Sequence, residues 1–322
     1  MHYPLCDQIN KLGRQKIPFL FVLDYEVRHP VVVPLKEVDP DQILYSVNGI
    51  TNSVTFNSCH KKLTFNSSPV AYSTYQKAFD LVQRNILHGN SFLLNLTFPS
   101  QVETNYTLQE IFHLSSAKYK LWFKDQFVVF SPEIFIRTEG RNISSFPMKG
   151  TIDAHIPDAE NKLRNSRKEV AEHYTIVDLI RNDLSMVAKK VGVARFQYIE
   201  RIETNRRALL QMSSEVTGVL PKDYHEHLGD ILFTLLPAGS ISGAPKAKTL
   251  EVIKEAEQYN RGYFTGIFGI FDGKNIDSGV MIRYIEKTEE GLIYKSGGGI
   301  TSQSFCAEEY EELKDKIYVP VA

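Results

Sequence analysis

The spacing of apolar and polar positions divides the chain into a strand-rich start, an alternating middle and a mixed C-terminal half. Residues 1–69 read as short strands in the runs PFLFVLDYE, VVVPLKEV and ILYSVNGIT, rich in β-branched and aromatic residues and broken by Pro, Asp and Asn. From Ala71 to His88 the apolar residues Tyr75, Phe79, Val82 and Ile86 recur at helical spacing, with Gly89 placed as a C-cap. SFLLNLTF predicts a buried strand. KLWFKD, FVVFSPEIFIRTEG and ISSFPM predict further strands, with a hairpin turning at Glu139-Gly140. Residues 158–189 predict a helix with Ile176, Val177 and Ile180 as its apolar stripe. LLPAGSISGAPKAKTLEVIKEAEQ joins a Gly-rich loop to a helix beginning at about Ala244, with Pro245 in the first turn. Three strands (FTGIFGIFDG, SGVMIRYIE, GLIYKSGGGI) and a helix in AEEYEELKDKI complete the pattern. No repeat, low-complexity tract or linker interrupts it, so one compact α+β domain is expected.

Composition narrows the partner. Of 322 residues 23% are charged, the formal net charge is −1, and Lys and Arg form no long block. Nucleic acid and anionic membranes are thereby disfavoured, which leaves a small molecule or a protein. The cysteines, Cys6, Cys59 and Cys306, show no C-x-x-C spacing and suit a reducing compartment. The N-terminus lacks a signal-type apolar core and no run reaches membrane-spanning length, so a soluble cytoplasmic protein is expected. The Asn-x-Ser/Thr triplets then carry no weight.

Candidate chemistry begins in FPMKGT, where a Pro and a Gly frame Lys149 on a short loop between an extended run and the next helix. Most lysines so placed are solvated cations. A nucleophilic amine must be unprotonated, which needs burial or a nearby cation to lower its pKa from about 10.4. Ser131-Pro132-Glu133 sets a carboxylate at a strand interruption. A hairpin at Glu139-Gly140 would bring Glu133 and Lys149 to one side as an acid/base pair. Glu169 and Glu172 share one helical face, as do Glu309 and Glu312, and two such pairs could hold a hard cation such as Mg²⁺. The turn from Gly239 to Gly243 opens a helix and suits an anion, although its spacing and its Ala244-Pro245 exclude a phosphate-binding P-loop. Arg283 alternates onto one face of its predicted strand, as a rim cation or as a fork for a carboxylate. The glycines at 266, 269, 297, 298 and 299 suggest close backbone approach to a ligand.

In order, SPE, P-x-KGT, E-x-x-E-H-x-x-IVDLIRND, PAGSISGAPK, RG-x-x-x-G, IR, GGGI and E-x-x-E resemble the chorismate-utilising enzymes over about residues 70–318. That family includes anthranilate, isochorismate, salicylate and aminodeoxychorismate synthases. The resemblance implies a single large domain of two β-sheets packed together and flanked by helices, with 1–69 as its N-terminal part and 70–318 as the catalytic part. It implies Mg²⁺ at Glu169, Glu172, Glu309 and Glu312. It implies substrate contacts from Arg283, Ser242, Gly243, Gly298, Gly299, Thr151, Phe264 and Gln211, with Glu133 as acid/base toward the C4 hydroxyl. The P-x-KGT form is similar to the aminodeoxychorismate branch, which implies a covalent Lys149 adduct at C2 of chorismate that ammonia displaces at C4. Anthranilate and isochorismate enzymes usually carry a small residue at the lysine position. None of PLCDQ, NSCHK or SFCAE is a glutaminase-type nucleophile turn, so ammonia is expected from a separate glutamine amidotransferase subunit. Two departures stand out: Gln211 where the family commonly has His, and Phe264 where Tyr is common. The short N-terminal part predicts no tryptophan site. An anthranilate- or isochorismate-type enzyme is the alternative on the same fold. A non-catalytic amidotransferase-binding subunit is the alternative of another class.

Overall fold

Strand pairing in the computed structural model, which describes residues 4–54, 61–202 and 208–321, is antiparallel throughout and builds two nine-stranded sheets. Cys59 lies outside the described residues. The architecture is α+β, as the alternation predicts, and its two antiparallel sheets with helices are those the resemblance implies. Each sheet is the centre of one compact unit made of separate stretches of chain. The first unit is Met1–Val38, Glu133–Ser240 and Thr265–Val280; the second is Asp39–Pro132, Ile241–Phe264 and Met281–Ala322.

The first sheet runs Met148–Asp153, Leu209–Val219, Asn142–Ser145, Ile134–Glu139, Ile276–Val280, Ile267–Phe271, Phe19–Leu23, Val31–Pro34, and Lys189–Ile202 also pairs with Leu209–Val219. The hairpin at Glu139-Gly140 forms as expected, pairing Asn142 with Glu139. Residues 1–69 are not all strand, however: Pro4–Arg14 is a helix that buries Ile9 and Leu12. Its apolar positions 5, 9 and 12 keep helical spacing, a signal that the strand-rich residues after it obscure. It lies close against Leu228–Leu235, since a Cβ at Gly13 would meet His225 O at 2.2 Å and one at Gly229 would meet Cys6 O at 2.3 Å. The helical stretch 158–189 is two helices, Ala159–Asn165 and Arg167–Ser185. Ser166 divides them and caps the second, its hydroxyl accepting from Glu169 N at 3.4 Å. Ile176, Val177 and Ile180 are buried as the periodicity requires.

The second sheet runs Gly243–Ala244, Leu93–Thr104, Gly291–Ile300, Tyr284–Thr288, Phe127–Ser131, Tyr119–Phe123, Ile43–Val47, Ile50–Thr51, and Phe65–Ser68 also pairs with Leu93–Thr104. Helix Tyr72–Leu87 inserts the predicted Tyr75, Phe79, Val82 and Ile86 into a core with Leu94, Phe98, Tyr294 and Leu313. Each such side chain contributes about 1.5–3 kcal/mol. Helix Leu108–Leu114 opens on a Thr107/Glu110 capping box, a T-x-x-E signature that the strand reading passes over.

Two boundaries differ from the sequence pattern. SGVMIRYIE is not one strand: Ile276–Val280 belongs to the first sheet and Tyr284–Thr288 to the second. Arg283 stands in the break with φ 56°, not on a strand face. The helix after the Gly-rich turn starts at Lys246, with Pro245 as N-cap, because Gly243 and Ala244 pair with Leu94 and Leu93 instead. Only glycine fits at 243, where φ is 133° and a Cβ would lie 1.9 Å from Leu93 O.

A buried ion pair ties this turn down. Arg261 and Glu257 side chains are each 2% exposed and meet at 2.6 Å. Arg261 also donates to Ile241 O at 3.0 Å and Asn95 O at 2.8 Å, while Glu257 accepts from Thr97 N and Oγ1, both at 2.8 Å. Removing one partner strands a buried charge. Arg261→Met is expected to cost about 3–5 kcal/mol in urea unfolding; a loss under about 1 kcal/mol would contradict it.

Candidate active site

Lys149 does not sit on a loop before a helix, as the hexapeptide suggests. It lies in the strand Met148–Asp153, at a bulge where two residues oppose one. Met148 pairs with Ser213 and Thr151 with Gln211, leaving Lys149 and Gly150 opposite Met212. A bulge re-aims the side chain it carries. Gly150 makes this one possible, with φ 86° and a Cβ position that would fall 3.1 Å from Leu163 Cδ1 and 3.2 Å from Glu169 Oε2.

The re-aimed amine meets a carboxylate. Lys149 Nζ is 2.9 Å from Glu172 Oε2, with side chains 17% and 6% exposed. Such a neighbour favours the charged ammonium. Glu172 is therefore both a predicted cation ligand and the lysine's partner. Gln211 Nε2 donates to Gly150 O at 3.3 Å, and Thr151, directly across from it, is exposed.

Glu133 is buried just before Ile134–Glu139, its Oε1 accepting a hydrogen bond from Ser240 Oγ. The hairpin does not by itself pair it with Lys149. The Lys149 strand lies past the hairpin, on Leu209–Val219, with two strands between it and Ile134–Glu139 in the sheet order.

Ser240, His173 and Ser214 escape sequence reasoning. Ser240 stands in the Gly-rich turn with nothing local to link it to Glu133. His173 follows directly on Glu172 in the E-x-x-E-H motif, and this adjacency is the one signal that could have drawn attention to it. It is fully buried, with Nε2 2.7 Å from Ser214 Oγ. Burial pushes its ring pKa down to about 4; the Lys149 main chain opposes this and the Lys149 charge adds to it.

The second unit carries the remaining predicted residues. Gly298 leaves room beside two carboxylates, since a Cβ there would be 3.2 Å from Glu312 Oε1 and 3.5 Å from Glu309 Oε2. Glu309 is 1% exposed, and Glu312 pairs with Lys316 at 2.6 Å. Gly298 and Gly299 face Leu96 and Asn95 across the sheet. Ser242 is buried, the Arg283 guanidinium lies 5.1 Å from the Tyr318 ring centroid, and the buried Phe264 ring is 5.9 Å from that of Tyr284.

Among the described residues, no group of three or more His, Cys, Asp or Glu side chains converges as a metal site. The donor chemistry nonetheless suits a hard cation. Both glutamate pairs offer only oxygen, each has a glycine leaving space beside it, and Glu172 Oε1 is buried without a hydrogen bond.

The chain belongs to the chorismate binding enzyme family, whose profile matches residues 40–322. Over 315 residues it is 50% identical to a PabA-like protein of Haemophilus influenzae, spanning 98% of this chain and 96% of that one. Aminodeoxychorismate synthase component 1 of Klebsiella aerogenes is 38% identical over 195 residues, 58% of this chain and 42% of that protein. The solved menaquinone-specific isochorismate synthase of Escherichia coli shares the fold, with TM-score 0.73 at 13% identity over 97% of this chain and 79% of that one. No helix among the described residues is long and apolar enough to cross a membrane.

Two outcomes follow from the bulge. Gly150→Ala, forced to keep a positive φ beside Leu163 and Glu169, is expected to cost about 1–3 kcal/mol in denaturant unfolding; unchanged stability would show that the bulge tolerates a side chain. His173 titrates near 6.5 unfolded and about 4 folded, so its contribution is complete above pH 6.5 and lost as pH falls toward 4. The wild type is then expected to lose up to about 3 kcal/mol more than His173→Asn between pH 7 and pH 4. Parallel pH profiles would contradict this.

Proposed function

We propose that this chain is component I of an aminodeoxychorismate synthase, converting chorismate and ammonia to 4-amino-4-deoxychorismate on the way to para-aminobenzoate and folate. The observation that carries the reading is Lys149 itself: a part-buried amine aimed by a glycine-dependent bulge at the carboxylate of a glutamate pair. A lysine serving only solubility would need none of this. The 38% identity to an aminodeoxychorismate synthase component 1 supports a component I enzyme acting on chorismate.

Lys149 Nζ, once neutral, adds to C2 of the chorismate ring. The ring double bonds shift toward C4, and the C4 hydroxyl leaves as water with a proton from Glu133. Ammonia then forms a bond to C4, the double bonds shift back, and the C2–Nζ bond breaks to release Lys149. Glu133 takes the proton that the new amine sheds, so chorismate and ammonia give aminodeoxychorismate and water. The Ser240 hydroxyl keeps Glu133 oriented through both transfers. Arg283, Ser242, Gly243, Gly298 and Gly299 bind substrate carboxylates through a guanidinium fork and main-chain amides. Thr151, Gln211 and Phe264 border the substrate. Glu169, Glu172, Glu309 and Glu312 would hold Mg²⁺, which when bound supplies positive charge to a substrate carboxylate and competes with Lys149 for Glu172. Ammonia comes from a glutamine amidotransferase subunit.

The test is incubation of the purified chain with chorismate, Mg²⁺ and an ammonium salt, with products separated by chromatography. Aminodeoxychorismate is expected, turnover should vanish without Mg²⁺, and Lys149→Ala should lower the rate at least about 10²-fold. Ortho-aminobenzoate or isochorismate as product, or wild-type turnover by Lys149→Ala, would overturn the assignment.

A further inference from the structure

We infer that Lys295 is a positioning residue for substrate binding, its ammonium holding the turn 260–264 and, through Arg261, the backbone segments 241–243 and 297–299. The inference rests on the proposed reading of those segments as the site for chorismate carboxylates. It adds to that reading a buried cation that the proposed reaction does not use.

Lys295 lies on the strand Gly291–Ile300, just ahead of Gly297, with its side chain 6% exposed. Its Nζ donates to Glu286 Oε2 at 2.5 Å, to Arg261 O at 3.0 Å and to Asn260 O at 3.3 Å. An ammonium has three N–H donors and no acceptor, and these three oxygens match them one for one. The Tyr259 and Tyr284 ring centroids each lie 5.6 Å from Nζ, a distance at which ring faces favour a cation.

Each contact leads toward the candidate site. Asn260 O and Arg261 O belong to the turn that carries Phe264, whose ring is 5.9 Å from that of Tyr284. Arg261, held by Lys295 at its carbonyl, donates from its guanidinium to Ile241 O at 3.0 Å and to Asn95 O at 2.8 Å. Ile241 O is part of the peptide unit that enters Ser242, and because that unit is planar, fixing its oxygen fixes the whole plane. Asn95 stands in register with Gly299. Thr97, in register with Gly297, donates to Glu257, the ion-pair partner of Arg261. The contacts therefore close on the strand from which Lys295 starts. Of the four charged groups in this network, Lys295, Arg261 and Glu257 have side chains 6% exposed or less, and Glu286 is 30% exposed. Removing the ammonium takes a donor from two carbonyls in a region with little water to replace it, so the turn relaxes. The groups that move are those assigned to binding and not to bond making, so the loss falls on KM.

Three variants of the full chain test this: Lys295→Met, Glu286→Ala and Glu286→Gln. The readouts are kcat and KM for chorismate with ammonium and Mg²⁺, and chorismate affinity by isothermal titration calorimetry. Lys295→Met keeps the length of the side chain without its donors. It is expected to raise KM and weaken affinity about tenfold, with kcat within about twofold of wild type. Glu286→Ala removes one of the three anchors and should raise KM about threefold, whereas Glu286→Gln keeps an acceptor and should stay within about twofold of wild type. Should Lys295→Met fail to fold, the two Glu286 variants decide the matter, since that side chain is partly open to water. The positioning role is overturned if Lys295→Met leaves KM and affinity unchanged. It is equally overturned if Lys295→Met lowers kcat alone, as loss of folded protein would, or if Glu286→Ala and Glu286→Gln behave alike. A product other than aminodeoxychorismate would remove the assignment of the reaction, yet KM for chorismate would still decide the role of Lys295. A wild type that neither binds nor converts chorismate would sink the reading of the site, and this inference with it.

Discussion

The contact between Lys149 Nζ and Glu172 Oε2, 2.9 Å long and largely shielded from water, is the constraint from which the candidate site follows. Two opposite charges so placed attract more strongly than at the surface, and each makes the other's burial tolerable. One carboxylate cannot fully serve an ammonium and a cation together. Under the proposed function, drawing Glu172 away from Lys149 would weaken the attraction that favours the ammonium.

Everything around the pair preserves its geometry. The bulge needs a residue that accepts positive φ and carries no side chain toward Leu163 and Glu169, and Gly150 alone meets both conditions. In the second unit buried ions give comparable support. Arg261 and Glu257 hold the turn before Gly243. Lys295, whose pKa burial lowers while Glu286 opposes, donates to Arg261 O at 3.0 Å. Buried charges are expensive to strand, so loops fixed by them resist displacement. The turns around Gly243 and Arg261 are thus held by packed polar groups and not by their own chain stiffness.

Much of the site was legible in the residues. Helix-spaced glutamates at 169/172 and 309/312, the interrupted strand at Glu133 and the glycine-rich segments are local patterns, and both glutamate pairs lie on helices as their spacing requires. Arg283 was misread because its flanking residues alternate on both sides of a break. The chain leaves one sheet and enters the other there, a change that alternation does not register. Pro4–Arg14 was missed because short, strand-rich neighbours outweigh three apolar positions.

By itself, the sequence determined the periodic elements and the order of chemically distinct motifs, since both depend on neighbours a few residues apart. It also carried the family assignment, which rests on that same order. Only the tertiary structure decided that Lys149 lies on a bulged strand and not a loop, that its partner is Glu172, and that His173 meets Ser214. Those facts depend on which strand pairs with Met148–Asp153 and in what register. Register is settled by packing between segments some 60 residues apart, from Gly150 to Gln211, and no local pattern encodes it.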